Sequence, residues 1–380
     1  MVRDDYQMCR NLVMDTSDPS IKFDSDGVCN YYHRFHNTIK KNWFPDEIGK
    51  AKLRLLCDKI RSEGVSQEFD CIIGLSGGLD SSFLLHTAVT QYGLRPLVFH
   101  VDGGWNSEIA VRNINALISK LGLDLYTEVI DWVEMRNFQL ALFKAGVPHL
   151  DLPQDHAFVS VLYKFAVENN IKYILNGGNI ATEAVSPPVQ LLYWGTDLRH
   201  INHILEEYGN VSMHNYPFSS AIYHKFYLRA FKNIRVVKPL NFLNFQKNDA
   251  VKELFENYGW IDYGQKHFES RFTKFFEGYW LPTRFGFDMR RCQFSSLILS
   301  NQMTRDQALK ELNGKPYDSA QVEKDIEYVA AKLDISVSQL LHYHEMPLKF
   351  YSDYKNSKLL FDVGEKILSL LFRTQRGGAY

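Results

Sequence analysis

What the chain lacks narrows its reading. No apolar run approaches about 18 residues, so no segment is expected to span a membrane as a helix. Net charge is almost absent, with 43 Lys+Arg against 44 Asp+Glu and a formal charge of -1. Bulk electrostatics therefore would not hold the protein on nucleic acid, although a local basic patch remains available. Cysteine is scarce, odd in number and scattered, at Cys9, Cys29, Cys57, Cys71 and Cys292. A chain of 380 residues needs no disulfide scaffold, and a reducing compartment fits. The opening residues are polar and acidic, unlike a secretory signal, so a cytoplasmic location is expected. There is no internal repeat and no low-complexity tract.

What is present is an ordinary 45% of hydrophobic residues and many aromatics, 26 Phe and 21 Tyr among them. Disorder is excluded by the apolar fraction, and the length predicts one large α/β domain with an appendage, or two domains. Most of the aromatics are read as core, with stacking surfaces for sugars or bases as the alternative.

Pattern divides the chain into three parts. Residues 1–65 read as an irregular head followed by an imperfectly amphipathic helix over 45–62, on the spacing of Ile48, Leu53, Leu55, Leu56 and Ile60. Residues 66–240 alternate strand and helix signals. Strands are predicted at 69–75, 96–101, 125–130, 173–175 and 236–239, and helices at 81–92, 109–121 and 157–169. Repeated β-α units imply an open, mostly parallel, Rossmann-like sheet with helices on both faces. Residues 241–380 read as mainly helical. Thr304 and Gln307 form a capping box and Gly314 a stop, and helical patterns continue at 322–333 and 337–343. Residues 263–291 are basic and aromatic together.

The most informative segment is Ser76-Gly77-Gly78-Leu79-Asp80-Ser81-Ser82, which follows an apolar strand and opens a helix. Glycines let successive N–H groups approach a ligand without a Cβ in the way, and a helix N-terminus adds partial positive charge. The hydroxyls of Ser76, Ser81 and Ser82 are further donors, so the segment suits phosphate oxygens. Asp80 is unexpected in a pure anion site, and is most simply a ligand of Mg²⁺ that bridges phosphates. The structural alternative is a helix start capped by Asp80 or Ser81. No Lys follows the glycines, so this is not a G-x-x-x-x-G-K-[ST] loop. Two more polar, glycine-rich strand ends, one with Asp102 and one with Gly177, Gly178 and Asn179, should converge on the same cleft, since open α/β sheets bind ligands beyond their carboxyl ends.

The string SGGLDSS resembles the pyrophosphate loop of the ATP pyrophosphatase (PP-loop) superfamily. That resemblance implies the adenine-nucleotide alpha hydrolase type of α/β sheet. It also implies cleavage of ATP between its α and β phosphates, with adenylation of a carbonyl or carboxyl oxygen. It narrows over most of the chain. Cys9, the stretch from Val13 to Pro19, Phe23-Asp24 and Gly27-Val28-Cys29-Asn30 resemble the N-acetyl sugar amidotransferase family. So do Asp155-His156-Ala157-Phe158, the stretch from Lys266 to Phe276, and the stretch from Gly286 to Arg291. The family implies ATP with Mg²⁺, and a nucleotide-activated N-acetyl sugar whose acetamido group becomes acetamidino. Ammonia would come from a separate glutaminase resembling that of histidine biosynthesis, with a barrel-shaped cyclase-like partner, for O-antigen, capsule or flagellar glycans. The chain shows no second α/β unit for a glutaminase, and neither nucleic acid nor membrane is expected as a partner.

Within that frame the basic residues Arg271, Lys274, Arg284, Arg290 and Arg291 are candidates for phosphate contacts, with Lys274 preferred and Arg271 next. Their structural alternative is pairing with Glu269, Glu277 and Asp288. Asp155 and His156, at the start of a helix after Pro153, are candidates for substrate positioning or proton transfer, with Asp151 as a companion. Asp155 could equally be a helix cap.

The head departs from the family. Members carry C-x-x-C twice, suited to structural zinc, but Leu12 and Tyr32 stand where the second cysteines would be. Cys9 and Cys29 alone do not make a closed site, and no zinc is expected unless His33 and His36 complete it. Two rivals remain. A PP-loop enzyme acting on tRNA would need a basic face, and thiolation would need cysteine pairs. An inactive nucleotide-binding subunit would not need Asp80.

Overall fold

The central strands must be apolar on both sides, because helices pack on both faces of the sheet there. In the computed structural model, which describes residues 6–371, the short run Cys71–Gly74 forms the central strand β1. Its side chains alternate. Cys71 and Ile73 enter one buried cluster and Ile72 the other. The neighbouring strand β2, Pro96–Asp102, does the same, with Leu97 and Phe99 on the face of Ile72 and Val98 on the face of Ile73.

The sheet is completed by β3 (Leu125–Val129), β4 (Tyr173–Leu175) and β5 (Arg235–Val237) in the order β3-β2-β1-β4-β5, with every pairing parallel. This is the open α/β sheet that the sequence predicts. The strand order reverses direction at β1, whose neighbours are β2 and β4. Loops after β1 and β4 thus leave on either side of a topological switch point, where open sheets form their ligand crevice.

One face is covered by the helices Glu47–Gly64, Leu79–Thr90, Glu108–Leu121 and Lys247–Tyr258. The other is covered by Trp132–Ala145 and Leu152–Glu168, and then by the C-terminal helices. The aromatic segment after residue 263 is mostly core. Phe272, Phe275, Phe276 and Trp280 are each at most 1% exposed.

The head packs against the C-terminal helices. Val13 N–H donates to Ser295 Oγ at 3.3 Å, and Arg291 pairs with Asp15 at 2.8 Å while donating to the Val13 carbonyl. Arg305 donates to the carbonyls of Leu12 and Cys9. The capping box forms as the sequence predicts, with Thr304 and Gln307 each satisfying the other's N–H. Among the described residues no helix is long and apolar enough to cross a membrane.

Candidate functional site

The turn that leaves β1 needs its glycines. Gly77 has φ +81°, and a Cβ there would lie 2.6 Å from the Ala110 carbonyl oxygen. A Cβ on Gly78 would lie 2.5 Å from Glu269 Oε1, and one on Gly177 would lie 2.9 Å from the Asp80 backbone. The loops after β1 and β4 are therefore in direct contact, and neighbouring backbone leaves no room for a side chain at Gly77 or Gly177. Within the first loop Ser76 N–H donates to Ser81 Oγ at 3.3 Å, and Gly78 N–H donates to Ser76 Oγ at 3.1 Å. Tyr263 Oη accepts from Leu79 N–H at 2.8 Å. Gly78 is the helix N-cap and no side chain caps it, so Asp80 and Ser81 are free of that task. Ser82 is fully buried, and its Oγ has no partner among the described residues.

Asp80 instead joins a charged network. Lys266 Nζ lies 2.5 Å from Asp80 Oδ2, 2.7 Å from Glu183 Oε1 and 2.9 Å from Thr182 Oγ1. Burial disfavours the Lys266 ammonium, but Asp80 and Glu183 outweigh it and hold the group charged well above the usual lysine range. Burial likewise raises Glu183, but Lys266 wins and its carboxyl titrates below normal. Lys238 Nζ lies beside Gly178, and burial lowers its pKa to about 8 although Glu183 pulls it back.

Segment 266–270 lies across the ends of β1 and β2. Ser107 N–H donates to the Glu269 carbonyl at 3.0 Å, and Asn106 and Ser270 form an antiparallel bridge. This puts the Glu269 carboxylate at the glycine loop, 3.4 Å from Ser76 Oγ. Burial raises its pKa, and Oε2 has no partner among the described residues. Next to it His267 adopts φ +70° and contacts Glu277 Oε1 at 3.0 Å. Burial opposes its protonation, but the Glu277 carboxylate prevails and raises its pKa to about 9, so the ring is a cation at neutral pH.

These groups could hold a magnesium ion together with phosphate oxygens of a ligand. Among the described residues no three of His, Cys, Asp or Glu gather to hold a metal unaided. Mg²⁺ usually takes one or two carboxylates and draws its other ligands from phosphate and water. Asp80, Glu183 and the orphaned Oε2 of Glu269 supply hard oxygen donors of that kind.

The other strand ends lie alongside. Asp102 accepts from Gly104 N–H at 2.8 Å and from Asn106 Nδ2 at 3.1 Å. His100 Nδ1–H donates to the Leu75 carbonyl at 2.7 Å, which ties β2 to the loop of β1. Asn179 is buried and caps the short helix Ile180–Glu183, so its side chain is occupied. Gly178 N–H donates to Asn176 Oδ1 at 2.7 Å.

Arg271, Lys274, Asp155, His156 and Arg284 were expected at the site and are not brought to the loop. Arg271 pairs with buried Asp325 at 2.7 Å and stacks 3.5 Å over Tyr328. Lys274 lies over the Tyr317 ring at 4.9 Å. The reason is local: Ser270 caps a helix, Arg271–Phe275, which carries both side chains towards the C-terminal helices. His156 is 1% exposed and spends both nitrogens on backbone. Its Nδ1–H donates to the Gly195 carbonyl at 2.6 Å, and its Nε2 accepts from Ser219 N–H at 3.1 Å. Burial lowers its pKa, so it stays neutral. Asp155 is exposed, 3.3 Å from His149 Nε2. Its neighbour Asp151 is the perturbed acid. It accepts from Thr273 Oγ1 at 2.5 Å and from Gln154, and burial raises its pKa to about 7, with Asp155 adding to the rise. Arg284 is committed to the carbonyls of His344 and Met346.

Sequence reasoning passed over Lys266, His267, Glu269, Glu183 and Tyr263. The first three lie in the stretch that carried the family resemblance, and Lys266 opens it, so a signal was present. Nothing local distinguishes Lys266 from Lys274, because only the direction of the chain around Ser270 separates them.

The head does not fit a tetrahedral zinc. Cys9 and Cys29 are fully buried, and Cys29 N–H donates to Cys9 Sγ at 3.2 Å. The Cys29 thiol lowers the Cys9 pKa to about 6, and Cys29 itself is raised. Leu12 and Tyr32 offer no thiolates, His33 binds Asp24 at 2.7 Å, and His36 packs on Tyr32 at 4.4 Å.

With this geometry in hand, comparison with known proteins is informative at one end of the chain. Residues 269–368 match a family model described as LPS biosynthesis protein WbpG-like, C-terminal domain. That match fits the family resemblance read from the sequence. No curated protein matches the chain. Among solved structures it is similar to NMN synthetase from Francisella tularensis, at 14% identity and a TM-score of 0.34, covering 80% of this chain and 97% of that one. It is also similar to NH3-dependent NAD synthetase from Campylobacter jejuni subsp. jejuni NCTC 11168 in complex with the nitrate ion. There the identity is 17% and the TM-score 0.29, covering 55% of this chain and 84% of that one. Likenesses this distant carry no argument, and the fold stands on its own strand order.

Proposed function

We propose that the protein is an ATP-dependent amidotransferase acting on a nucleotide-linked N-acetyl sugar, with ammonia supplied by a separate glutaminase, in the synthesis of a bacterial surface glycan. The observation that carries this reading is the Ser76–Ser82 loop at the switch point, with Asp80 held by Lys266. The C-terminal match to a lipopolysaccharide family supports the pathway.

The chemistry asked of the site is activation of a poor electrophile. The acetamido oxygen attacks the α-phosphate of ATP and pyrophosphate leaves. Ammonia then adds to the imidate carbon, and AMP departs carrying the former carbonyl oxygen. Amide, ATP and ammonia are thereby converted to amidine, AMP and pyrophosphate. Catalysis of this kind is mainly electrostatic. Backbone N–H groups of the glycine loop and the serine hydroxyls would hold the phosphates. Lys266 and protonated His267 would offset the charge that develops there. Magnesium, when bound at Asp80 with Glu183 or Glu269, supplies further charge neutralisation on the pyrophosphate.

The test is incubation with ATP, magnesium, ammonium and a panel of nucleotide-linked N-acetyl sugars. AMP and pyrophosphate are expected. ADP and phosphate in their place would reject the mechanism, and so would full activity in Asp80→Ala.

A further inference from the structure

Beyond the helix start the cleft continues into a cavity of about 430 Å³. Leu79, Asp80 and Lys266 line it together with residues of the helix Arg290–Leu299 and, beyond that helix, Met303, Glu311 and Lys315. The volume falls within the roughly 300–1,000 Å³ of small-molecule sites and suits one nucleotide-sized ligand.

Three features of the lining point to the ligand's chemistry. Gln293 is 9% exposed, and its Nε2 has no hydrogen-bond partner among the described residues. Gln265 Nε2 is likewise buried and unpartnered. Both glutamines line the cavity, and two amide donors with no acceptor among the described residues leave hydrogen-bonding capacity for ligand oxygens. Lys247 and Lys315 have no carboxylate partner among the described residues. Lys247 Nζ donates only to the Gly264 carbonyl at 3.3 Å and Lys315 Nζ only to Ser319 Oγ at 3.0 Å. Their charge suits a phosphate. Phe294, Leu297 and Met303 add a partly exposed apolar wall for a base or an acyl group.

The cavity meets the glycine loop at one side only. Leu79 and Asp80 line it, whereas Ser76, Gly77, Gly78 and Ser81 do not. It therefore adjoins the phosphate cradle without containing it.

We propose that this cavity is the acceptor site and takes a nucleotide-linked N-acetyl sugar, an assignment that rests on the amidotransferase reading. The ligand's phosphates lie at Lys247 and Lys315, its sugar oxygens accept from Gln265 and Gln293, and its acetamido group points inward to Asp80 and Lys266. That orientation brings the acetyl oxygen to the phosphates held by the loop.

The test is calorimetric titration of the full chain with UDP-N-acetylglucosamine and a CMP-linked N-acetyl sugar, and separately with α,β-methylene-ATP and magnesium. The variants are Gln293→Leu, which removes an unpartnered donor at nearly constant volume, and the double variant Lys247→Glu/Lys315→Glu. Both should weaken a sugar nucleotide at least tenfold and leave the ATP analogue within twofold. Loss of ATP-analogue affinity instead would make the cavity the base pocket of ATP and overturn the proposal. Unchanged affinities, or a wild-type chain that binds neither sugar nucleotide, would overturn it as well. Lys315 is exposed and Lys247 partly so, so a folding defect in Gln293→Leu would leave the lysine arm of the test intact. A chain that binds the probe through these residues yet forms no AMP supports the cavity assignment and rejects the amidotransferase reading.

Discussion

Replacing Lys266 by methionine isolates the central electrostatic device. The change keeps most of the aliphatic stem and removes the charge that two carboxylates share. Side-chain exposures are 18% for Lys266, 17% for Asp80 and 27% for Glu183, so the network is mostly but not wholly out of water. Removing one partner of a buried pair costs about 3–5 kcal/mol, whereas exposed pairs are worth about 0–1 kcal/mol. For this intermediate exposure a loss of about 2–3 kcal/mol is expected at pH 8. The pH dependence has a definite sign. Lys266 holds Glu183 below its normal range, so the stabilisation is present above the ordinary carboxylate pKa and lost as pH falls through the depressed one. The gap between wild type and Lys266→Met should therefore be full at pH 8 and close only below the ordinary carboxylate pKa of about 4.3, towards pH 3. Urea unfolding at both pH values measures it. Magnesium should raise the stability of the variant more than that of the wild type, since it can replace the missing cation. Asp80→Asn in the same background should recover much of the loss. A variant as stable as wild type, a gap that ignores pH, or strictly additive single substitutions would refute the reasoning.

Further outcomes follow from other parts of the site. Gly77→Ala must hold φ near +81° and push against the Ala110 carbonyl, so it should cost more than about 1–2 kcal/mol and abolish ATP binding, as titration with an ATP analogue will reveal. Asp151→Asn should raise the melting temperature more at pH 8 than at pH 5, because the wild-type acid is held protonated in the fold and its favourable contribution fades as pH rises through about 7. Arg271→Ala should lower stability by about 2–3 kcal/mol by leaving Asp325 with less compensation, while the Michaelis constant for ATP stays unchanged. An altered Michaelis constant there would place Arg271 on the nucleotide after all.

The residues differ in how legible they were. The central strands were visible as apolar runs because both their faces are buried, and the Thr304–Gln307 capping box because it is a local code. Boundaries shifted where backbone chemistry intervened. A strand expected over 236–239 is observed at Arg235–Val237, since Pro239 has no N–H for a ladder and opens a 3-10 turn instead. The helix Trp132–Ala145 went unpredicted, its buried face carrying polar Glu134, Asn137 and Gln139 that blur the apolar period. The glycine loop was legible because its constraint is steric and local. The cations were not, because Lys266 and Lys274 are equivalent in sequence and only tertiary packing decides which one faces Asp80. His156 was attractive as a catalytic base, and only its two backbone hydrogen bonds and its burial reveal it as a structural residue.

The most direct test of the account follows an atom. An N-acetyl sugar nucleotide labelled with ¹⁸O in its acetyl carbonyl is turned over with ATP, magnesium and ammonium, and the AMP is examined by mass spectrometry. Adenylation of the acetamido oxygen predicts AMP carrying one ¹⁸O, together with unlabelled pyrophosphate and an acetamidino product. Unlabelled AMP, or ADP with labelled phosphate, would contradict it.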